Sequence, residues 1–248
     1  MAYSETFRIT NYQIGEDSVV KNAMLARFMQ HMATVDLEEN YGWSRARLLE
    51  NEMCFILIRT AICNHADIKL GDLLRIDTSP DGIEEAFFLR RFVGYVQDKR
   101  VFSATTLWCV INPVTRRIIR PKATGLELND KASFSNDLEI PRRVIPGENS
   151  ECIGEYAVRY SDIDCNQHMN NTAYFSIIDD YLPDPFTQKV RFVKIEYSAE
   201  AVAGDKLEIY RSSEGNGIYH MHALRQSDGK QCFLAKLEVT EKQRSGVN

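Results

Sequence analysis

No apolar run in this chain approaches the roughly 20 residues that a membrane-spanning helix needs, so stable membrane insertion is not expected. The opening segment Met1-Ala2-Tyr3-Ser4-Glu5 lacks the basic and apolar regions of a signal peptide. A strand-like stretch follows too soon to leave space for a transit peptide. The six cysteines, Cys54, Cys63, Cys109, Cys152, Cys165 and Cys232, include no C-x-x-C pair and do not have the spacing of a disulfide framework. Metal-site and thioredoxin-like readings are therefore weak, and no metal or cofactor is expected. Cys54 and Cys109 lie inside apolar strand-like runs, where cysteine behaves as a small buried hydrophobe. That usage points to a reducing, cytoplasmic compartment. Positive charge is also scarce: 30 Lys and Arg against 35 Asp and Glu give a formal net charge of −5. Without a basic footprint, nucleic acid is excluded as the main partner. Two local basic clusters remain, Arg116-Arg117 with Arg120 and Lys122, and Arg142-Arg143. Either can be plain solvated loop charge or a dock for an acidic partner.

The chain has 248 residues, 44% of them hydrophobic and 26% charged. That composition is globular, and the length fits one large domain or two compact ones. Strand signals dominate. Cys54–Ile62 is β-branched and apolar, Leu73–Thr78 alternates, and Ala86–Val96 and Val101–Ile111 read as an antiparallel pair around Gln97-Asp98-Lys99-Arg100. Asn112-Pro113 breaks the second of these, and Arg116–Arg120 is a short final strand. Helical spacing of Met24, Phe28, Met32 and Val35 predicts a helix over Ala23–Asn40, followed by a second at Trp43–Asn51 with Ser44 as its cap. Another helix is expected from Thr172 to Tyr181, stopped by Leu182-Pro183-Asp184-Pro185.

The pattern repeats. Phe7–Tyr12 precedes the first helix about as Tyr156–Ser161 precedes the later one, and Gly71-Asp72 and Gly204-Asp205 each open an alternating strand. Each half reads as strand, helix, then four or five antiparallel strands, with the helix buried against its sheet. This is the order of the hotdog fold. The expected architecture is α+β, a tandem hotdog in which each half wraps an antiparallel sheet around a long central helix. Its parts are an N-terminal hotdog over residues 1–125, a linker over 126–150 that is rich in Gly, Pro, Asn, Asp and Ser, and a C-terminal hotdog over 151–248.

The densest polar cluster is Ser161-Asp162-Ile163-Asp164-Cys165-Asn166-Gln167-His168-Met169-Asn170-Asn171. An acid, an amide and an imidazole occupy alternate positions at Asp164, Asn166 and His168. If the stretch is extended, all three face one way. A helix follows, with Asn170 or Asn171 as its cap, and a helix N-terminus can hold a developing oxyanion. Imidazole exchanges protons near neutral pH, a carboxylate orients it or polarises a water, and an amide fixes a carbonyl or water. A polar helix-entry loop without chemistry has much the same composition.

The run Arg159-Tyr160-Ser161-Asp162-Ile163-Asp164-Cys165-Asn166-Gln167-His168-Met169-Asn170-Asn171 with Tyr174 resembles the signature R-x-S-D-x-D-x-N-x-H-x-N-N of the acyl-ACP thioesterases of plants and bacteria, at every fixed position. The resemblance covers essentially the whole chain and implies the double hotdog. It implies catalytic roles for Asp164, Asn166 and His168, and for Glu200 in Ile195-Glu196-Tyr197-Ser198-Ala199-Glu200-Ala201. The plant enzymes have cysteine where this chain has Ala201, so a covalent mechanism through that thiol is ruled out and water is the expected nucleophile. Cys165, at a variable motif position, is the rival nucleophile and is disfavoured because it would point away from Asp164 and Asn166. The first half lacks the motif; its counterpart Gln13–Lys21 has acids and no histidine. The resemblance makes that half the acyl-binding, non-catalytic one, with Met24, Phe28 and Met32 as candidate lining residues, although plain core packing explains them equally well. One of His220 and His222 is expected to face solvent.

The expected reaction is hydrolysis of an acyl thioester carried on the phosphopantetheine arm of acyl carrier protein, releasing free fatty acid. An acyl-CoA thioesterase and a non-catalytic acyl-binding module are the alternatives; the motif does not look like that of a hotdog dehydratase. A monomer and a homodimer both fit, since the fused halves already supply the pairing that single hotdogs obtain by dimerising.

Overall fold

The computed structural model describes residues 2–128 and 131–242. The chain divides into two compact units, Met1–Pro141 and Arg142–Asn248. In the first, β1 (Tyr3–Arg8) leads through a 3-10 turn at Asn11–Gln13 into α1 (Asn22–Glu39) and α2 (Arg45–Glu50). Then come β2 (Cys54–Asn64), β3 (Leu73–Glu84), β4 (Phe87–Val96), β5 (Lys99–Ile111), the short β6 (Ile118–Ile119) and α3 (Pro121–Thr124). The sheet order is β1-β3-β4-β5-β2, antiparallel throughout, with β6 added to β5.

The second unit repeats this plan with β7 (Glu151–Ala157), α4 (Ala173–Asp180), β8 (Gln188–Tyr197), β9 (Lys206–Gly215), β10 (Ile218–Arg225) and β11 (Gln231–Glu241). Its order, β7-β9-β10-β11-β8, is the same order position for position. Gly71 (φ +87°) and Gly204 (φ +90°) make the turns that open β3 and β9, a left-handed conformation open to glycine without steric cost. The β4–β5 hairpin turns on Gln97 and Asp98, both at positive φ, the two-residue geometry that matches strand twist.

α1 buries Leu25, Phe28, Met29 and Met32, and Phe28 stacks on Phe7 of β1 with centroids 4.4 Å apart. One turn further on, the apolar stripe meets Asp36, only 1% exposed. Its carboxylate accepts from Arg90 Nη1 of β4 (2.6 Å) and from Asn40 Nδ2 (2.7 Å), and Arg90 also donates to Thr78 Oγ1 (3.2 Å). A charge this deep survives only with such partners. α2 begins where Ser44 Oγ accepts from Arg47 N (3.2 Å), the cap its sequence leads one to expect.

Two expectations need correction, the length of α4 and the setting of His220 and His222. α4 is eight residues long, not a long central helix. Thr172 lies outside it because the backbone before Ala173 is occupied by turn bonds to Asn170, and Leu182-Pro183 stops it beyond Tyr181. Residues 126–150 carry no helix or strand among those described, yet they are no loose tether. Leu126 and Leu128 pack with Leu48, Met53, Phe88 and Val110. Asn136, fully buried, donates to Ala104 O and Thr105 Oγ1 (2.7 and 2.9 Å) and accepts from Arg91 Nη1 (2.5 Å). In the second unit Gly147 lies so close to β9 that a Cβ there would fall 2.1 Å from Ser212 Oγ. Finally, His220 and His222 share one side of β10 and neither opens freely to solvent. His220 is buried and bonded to Glu214 (2.5 Å), and His222 is half-buried and stacked on Tyr210; burial lowers the His222 pKa.

Because Asp36 and Arg90 satisfy each other inside the core, Asp36→Ala leaves a buried guanidinium without its counter-charge. A loss of about 3–5 kcal/mol in urea unfolding is expected. Replacing both residues with apolar side chains should recover most of it.

Candidate active site

The polar motif folds in the second unit as a closed loop, not as the extended stretch its alternation suggests. It starts with a 3-10 turn, Tyr160–Asp162, in which Asp162 Oδ2 accepts from Arg159 N (2.8 Å) and Tyr156 OH (3.0 Å). Ile163 and Met169 then form an antiparallel bridge. Between them Asp164 N–H donates to His168 O and Gln167 N–H to Asp164 O, both at 2.9 Å. Gln167 takes φ +66° to close the turn. The turn prevails because Asp164 supports it: Oδ1 accepts from Asn166 N (2.8 Å), the Asx geometry that competes with extended backbone, and Oδ2 lies 3.4 Å from Asn170 Nδ2.

Of the sequence-derived residues, the fold joins two through their side chains. His168 Nε2 lies 3.1 Å from Glu200 Oε2, with side chains 32% and 38% exposed, so the pair can be reached from solvent. Asp164 is committed to the loop, and Asn166 is exposed at its tip. Cys165 is also exposed, its sulfur 4.0 Å from Asn166 Oδ1. Met24, Phe28 and Met32 lie on α1 of the first unit, Phe28 and Met32 fully within its core and Met24 partly exposed.

The loop is pinned to the segment carrying Glu200 by Met169 N–H to Ala201 O (2.8 Å). Ala201 itself is buried, so the position held by cysteine in the plant enzymes is here a small packed methyl. Asn170 caps the turn before α4: Oδ1 accepts from Thr172 N and Oγ1 (2.9 and 2.8 Å), and its carbonyl accepts from Ala173 N (2.9 Å). Two of the N–H groups expected to face an oxyanion therefore already have acceptors. Arg225, which no motif or spacing in the sequence singles out, donates Nη1–H to Glu200 O (2.6 Å).

The first unit contains the same scaffold without the pair. Ile14 and Val20 form the bridge, Gly15 N donates to Val19 O (2.8 Å), Ser18 N to Gly15 O (3.0 Å) and Val20 N to Ile68 O (2.9 Å). Ser18 takes φ +59° where Gln167 takes +66°. Bond for bond, Gly15 stands where Asp164 does, Val19 where His168 does, and Asp67 where Glu200 does.

Models of the acyl-ACP thioesterase N-terminal domain and C-terminal domain match residues 1–123 and 147–241. The chain belongs to the acyl-ACP thioesterase family. Among curated members it is 22% identical to a chloroplast acyl-[acyl-carrier-protein] hydrolase of Cuphea viscosissima over 100% of this chain, and 20% identical to the chloroplast palmitoyl-acyl carrier protein thioesterase of Arabidopsis thaliana over 98% of it. It spans 65% of the length of each. The fold matches the crystal structure of an acyl-ACP thioesterase from Bacteroides thetaiotaomicron with a TM-score of 0.85 at 21% identity, covering 96% of this chain and 98% of that one. It also matches the 12:0-ACP thioesterase of Umbellularia californica with a TM-score of 0.81 at 18% identity, covering 97% and 98%. The tandem hotdog is thus the family's architecture. No helix among the described residues is long and apolar enough to cross a membrane.

The left-handed residue of the motif loop gives a direct test of the turn. Gln167→Gly should fold with unchanged or slightly raised stability. Gln167→Val, with a β-branched side chain at positive φ, should lose about 1–2 kcal/mol in thermal or urea unfolding.

Proposed function

We propose that this chain hydrolyses acyl-ACP thioesters, releasing free fatty acid and ending chain elongation, with the chemistry in its second unit. The observation that carries the reading is the 3.1 Å contact between His168 and Glu200 on a loop that matches the family motif. Geometry favours Glu200 over Asp164 as the acid that works with His168, because both Asp164 oxygens already serve the loop. A water held by Glu200 and the Asn166 amide attacks the thioester carbonyl carbon as its proton passes to the His168–Glu200 pair. A carbon–oxygen bond forms, the carbon–sulfur bond breaks, and the proton moves to the departing phosphopantetheine sulfur. The other product is the fatty acid, which keeps the second proton of the water until it ionises in solvent. Cys165 has no part in this scheme, and Ala201 offers no nucleophile. The first unit, lacking the pair, serves as the acyl-binding half, with Met24, Phe28 and Met32 as its lining candidates. The six cysteines are thiols not joined in disulfides, which favours a reducing, cytoplasmic setting.

Incubation of the purified protein with matched acyl-ACP and acyl-CoA series, with fatty acid release quantified, should show turnover of acyl-ACP and little of acyl-CoA. Turnover of acyl-CoA alone would move the substrate to that class, and no turnover of either would leave an acyl-binding module. Glu200→Ala and His168→Ala should each lower kcat about 10²- to 10⁴-fold without a large change in melting temperature, and Cys165→Ser should retain the wild-type rate. Full activity in Glu200→Ala would remove the assignment.

Acyl carrier protein is acidic, so the exposed basic clusters at Arg116, Arg117, Arg120 and Lys122, and at Arg142 and Arg143, would steer it by charge. Neutralising both clusters should raise KM for acyl-ACP, more at low salt than at high salt, and leave kcat alone. An unchanged KM would discard these surfaces as the dock.

A further inference from the structure

Glu200 lies outside regular secondary structure, between β8 and β9. Its reach to His168 therefore depends on what fixes its backbone. The preceding residue is tied by Ala199 N–H to Gln231 O (2.9 Å), and the following carbonyl, of Ala201, accepts from Met169 (2.8 Å). Val202 N–H is held by Asp205 Oδ2 (2.9 Å). The carbonyl of Glu200 itself has a side chain as its partner: Arg225 Nη1, at 2.6 Å.

Arg225 is built for that contact. It ends β10, its own N–H bonded to Lys230 O (2.8 Å). Its guanidinium forks onto Asp228, Nε to Oδ1 at 2.9 Å and Nη2 to Oδ2 at 2.7 Å, leaving Nη1 for Glu200. Asp205 lies 3.8 Å from Nη1. The side chain is 17% exposed. A lysine ammonium cannot hold the fork and the carbonyl in one rigid plane.

The first unit provides the contrast. β4, the counterpart of β10, ends on Val96 and passes through a two-residue turn into β5. β10 ends on Arg225, and the longer turn to β11 carries Asp228. The cation and its carboxylate clamp thus occur only in the copy that has the histidine–acid pair.

We propose that Arg225, clamped by Asp228, is a positioning residue for catalysis: through the Glu200 carbonyl it holds the Glu200 carboxylate against His168. This inference rests on the thioester-hydrolase reading. The carbonyl–guanidinium bond fixes the peptide between two anchors, and a displacement of about 1 Å at a reacting group can cost on the order of 100-fold in rate.

The test uses Arg225→Met, Arg225→Lys and Asp228→Asn in the full chain, with acyl-ACP hydrolysis, thermal melting and a crystal structure as readouts. Arg225→Met is expected to lower kcat by about 10- to 100-fold with KM and melting temperature close to wild type, and Arg225→Lys to recover part of the loss. If Arg225→Met does not fold, Arg225→Lys and Asp228→Asn carry the test, each with a reduced kcat at unchanged KM. A wild-type kcat in the folded variants, or an effect on KM alone, overturns the proposal. The crystal structure of a folded variant decides independently of turnover: Glu200 Oε2 should leave hydrogen-bond reach of His168 Nε2, and an unmoved pair overturns the role. A wild-type protein that leaves every acyl-ACP intact overturns the thioester-hydrolase reading instead, while the structural readout still judges Arg225.

Discussion

One main-chain hydrogen bond, from Met169 N–H to Ala201 O at 2.8 Å, joins the two segments that carry His168 and Glu200. His168 sits one residue before its donor and Glu200 one residue before its acceptor, so the bond sets how closely their side chains can approach. Everything around it serves to make that bond unavoidable. The Ile163–Met169 bridge presents the Met169 N–H, the Gly204-Asp205 turn returns the chain to β9, and the Gly204 N–H to Val158 O and Val158 N–H to Asp205 O bonds (both 2.9 Å) tie that turn to the end of β7. A side-chain contact of 3.1 Å between two partly exposed residues would be a weak interaction by itself. The backbone bonds that position both residues do not involve that contact.

Much of this was legible in the sequence. Apolar spacing placed α1 to within a residue at each end and marked the strands, because periodicity reports burial directly. The repeat of a Gly-Asp turn before an alternating strand revealed two copies of one plan. The resemblance to a family, and not any property of the residues, singled out His168 and Glu200 from two distant segments, and the fold brings their side chains within 3.1 Å. The shape of the loop was not legible. Asp164, Asn166 and His168 at alternate positions read as one face of a strand, but Asp and Asn side chains bond their own backbone two residues on, and Asp164 does so with Asn166. Alternation alone does not distinguish a strand from a chain of Asx turns.

The segment after Gly125 escaped for the opposite reason. Its residues carry no period, because each binds a particular partner on a surface already formed. Asn136 inserts its carboxamide between Ala104, Thr105 and Arg91, and Gly147 supplies only the absence of a side chain over Ser212. Such contacts follow from three-dimensional neighbours, not from sequence pattern. Arg225 belongs to the same class. In sequence it is one more strand-end cation with an acid three residues on, and its meaning comes from the Glu200 carbonyl it meets.

The two copies also sort the motif into scaffold and chemistry. Asp162 is an invariant-looking acid of the signature, yet in the first unit Gln13 Oε1 accepts from Thr10 N (2.7 Å) much as Asp162 Oδ2 accepts from Arg159 N (2.8 Å). A neutral amide does the same work there, so the charge at this position is not what the 3-10 turn requires. The left-handed residue behaves likewise: Ser18 and Gln167 share their φ and their turn bond but not their side chains. The divergence lies at Gly15 and Val19 against Asp164 and His168, and at Val96 against Arg225. Where only shape is needed, the first copy has found other residues to supply it. The imidazole and the guanidinium are groups that shape does not call for, and at these positions only the second copy has them. The first copy keeps an acid, Asp67, at the place of Glu200, and has Val19 where the second has the imidazole of His168. The same backbone bonds thus hold a loop with Asp164 and His168 and a loop with Gly15 and Val19, so the shape of the loop does not by itself specify its chemistry.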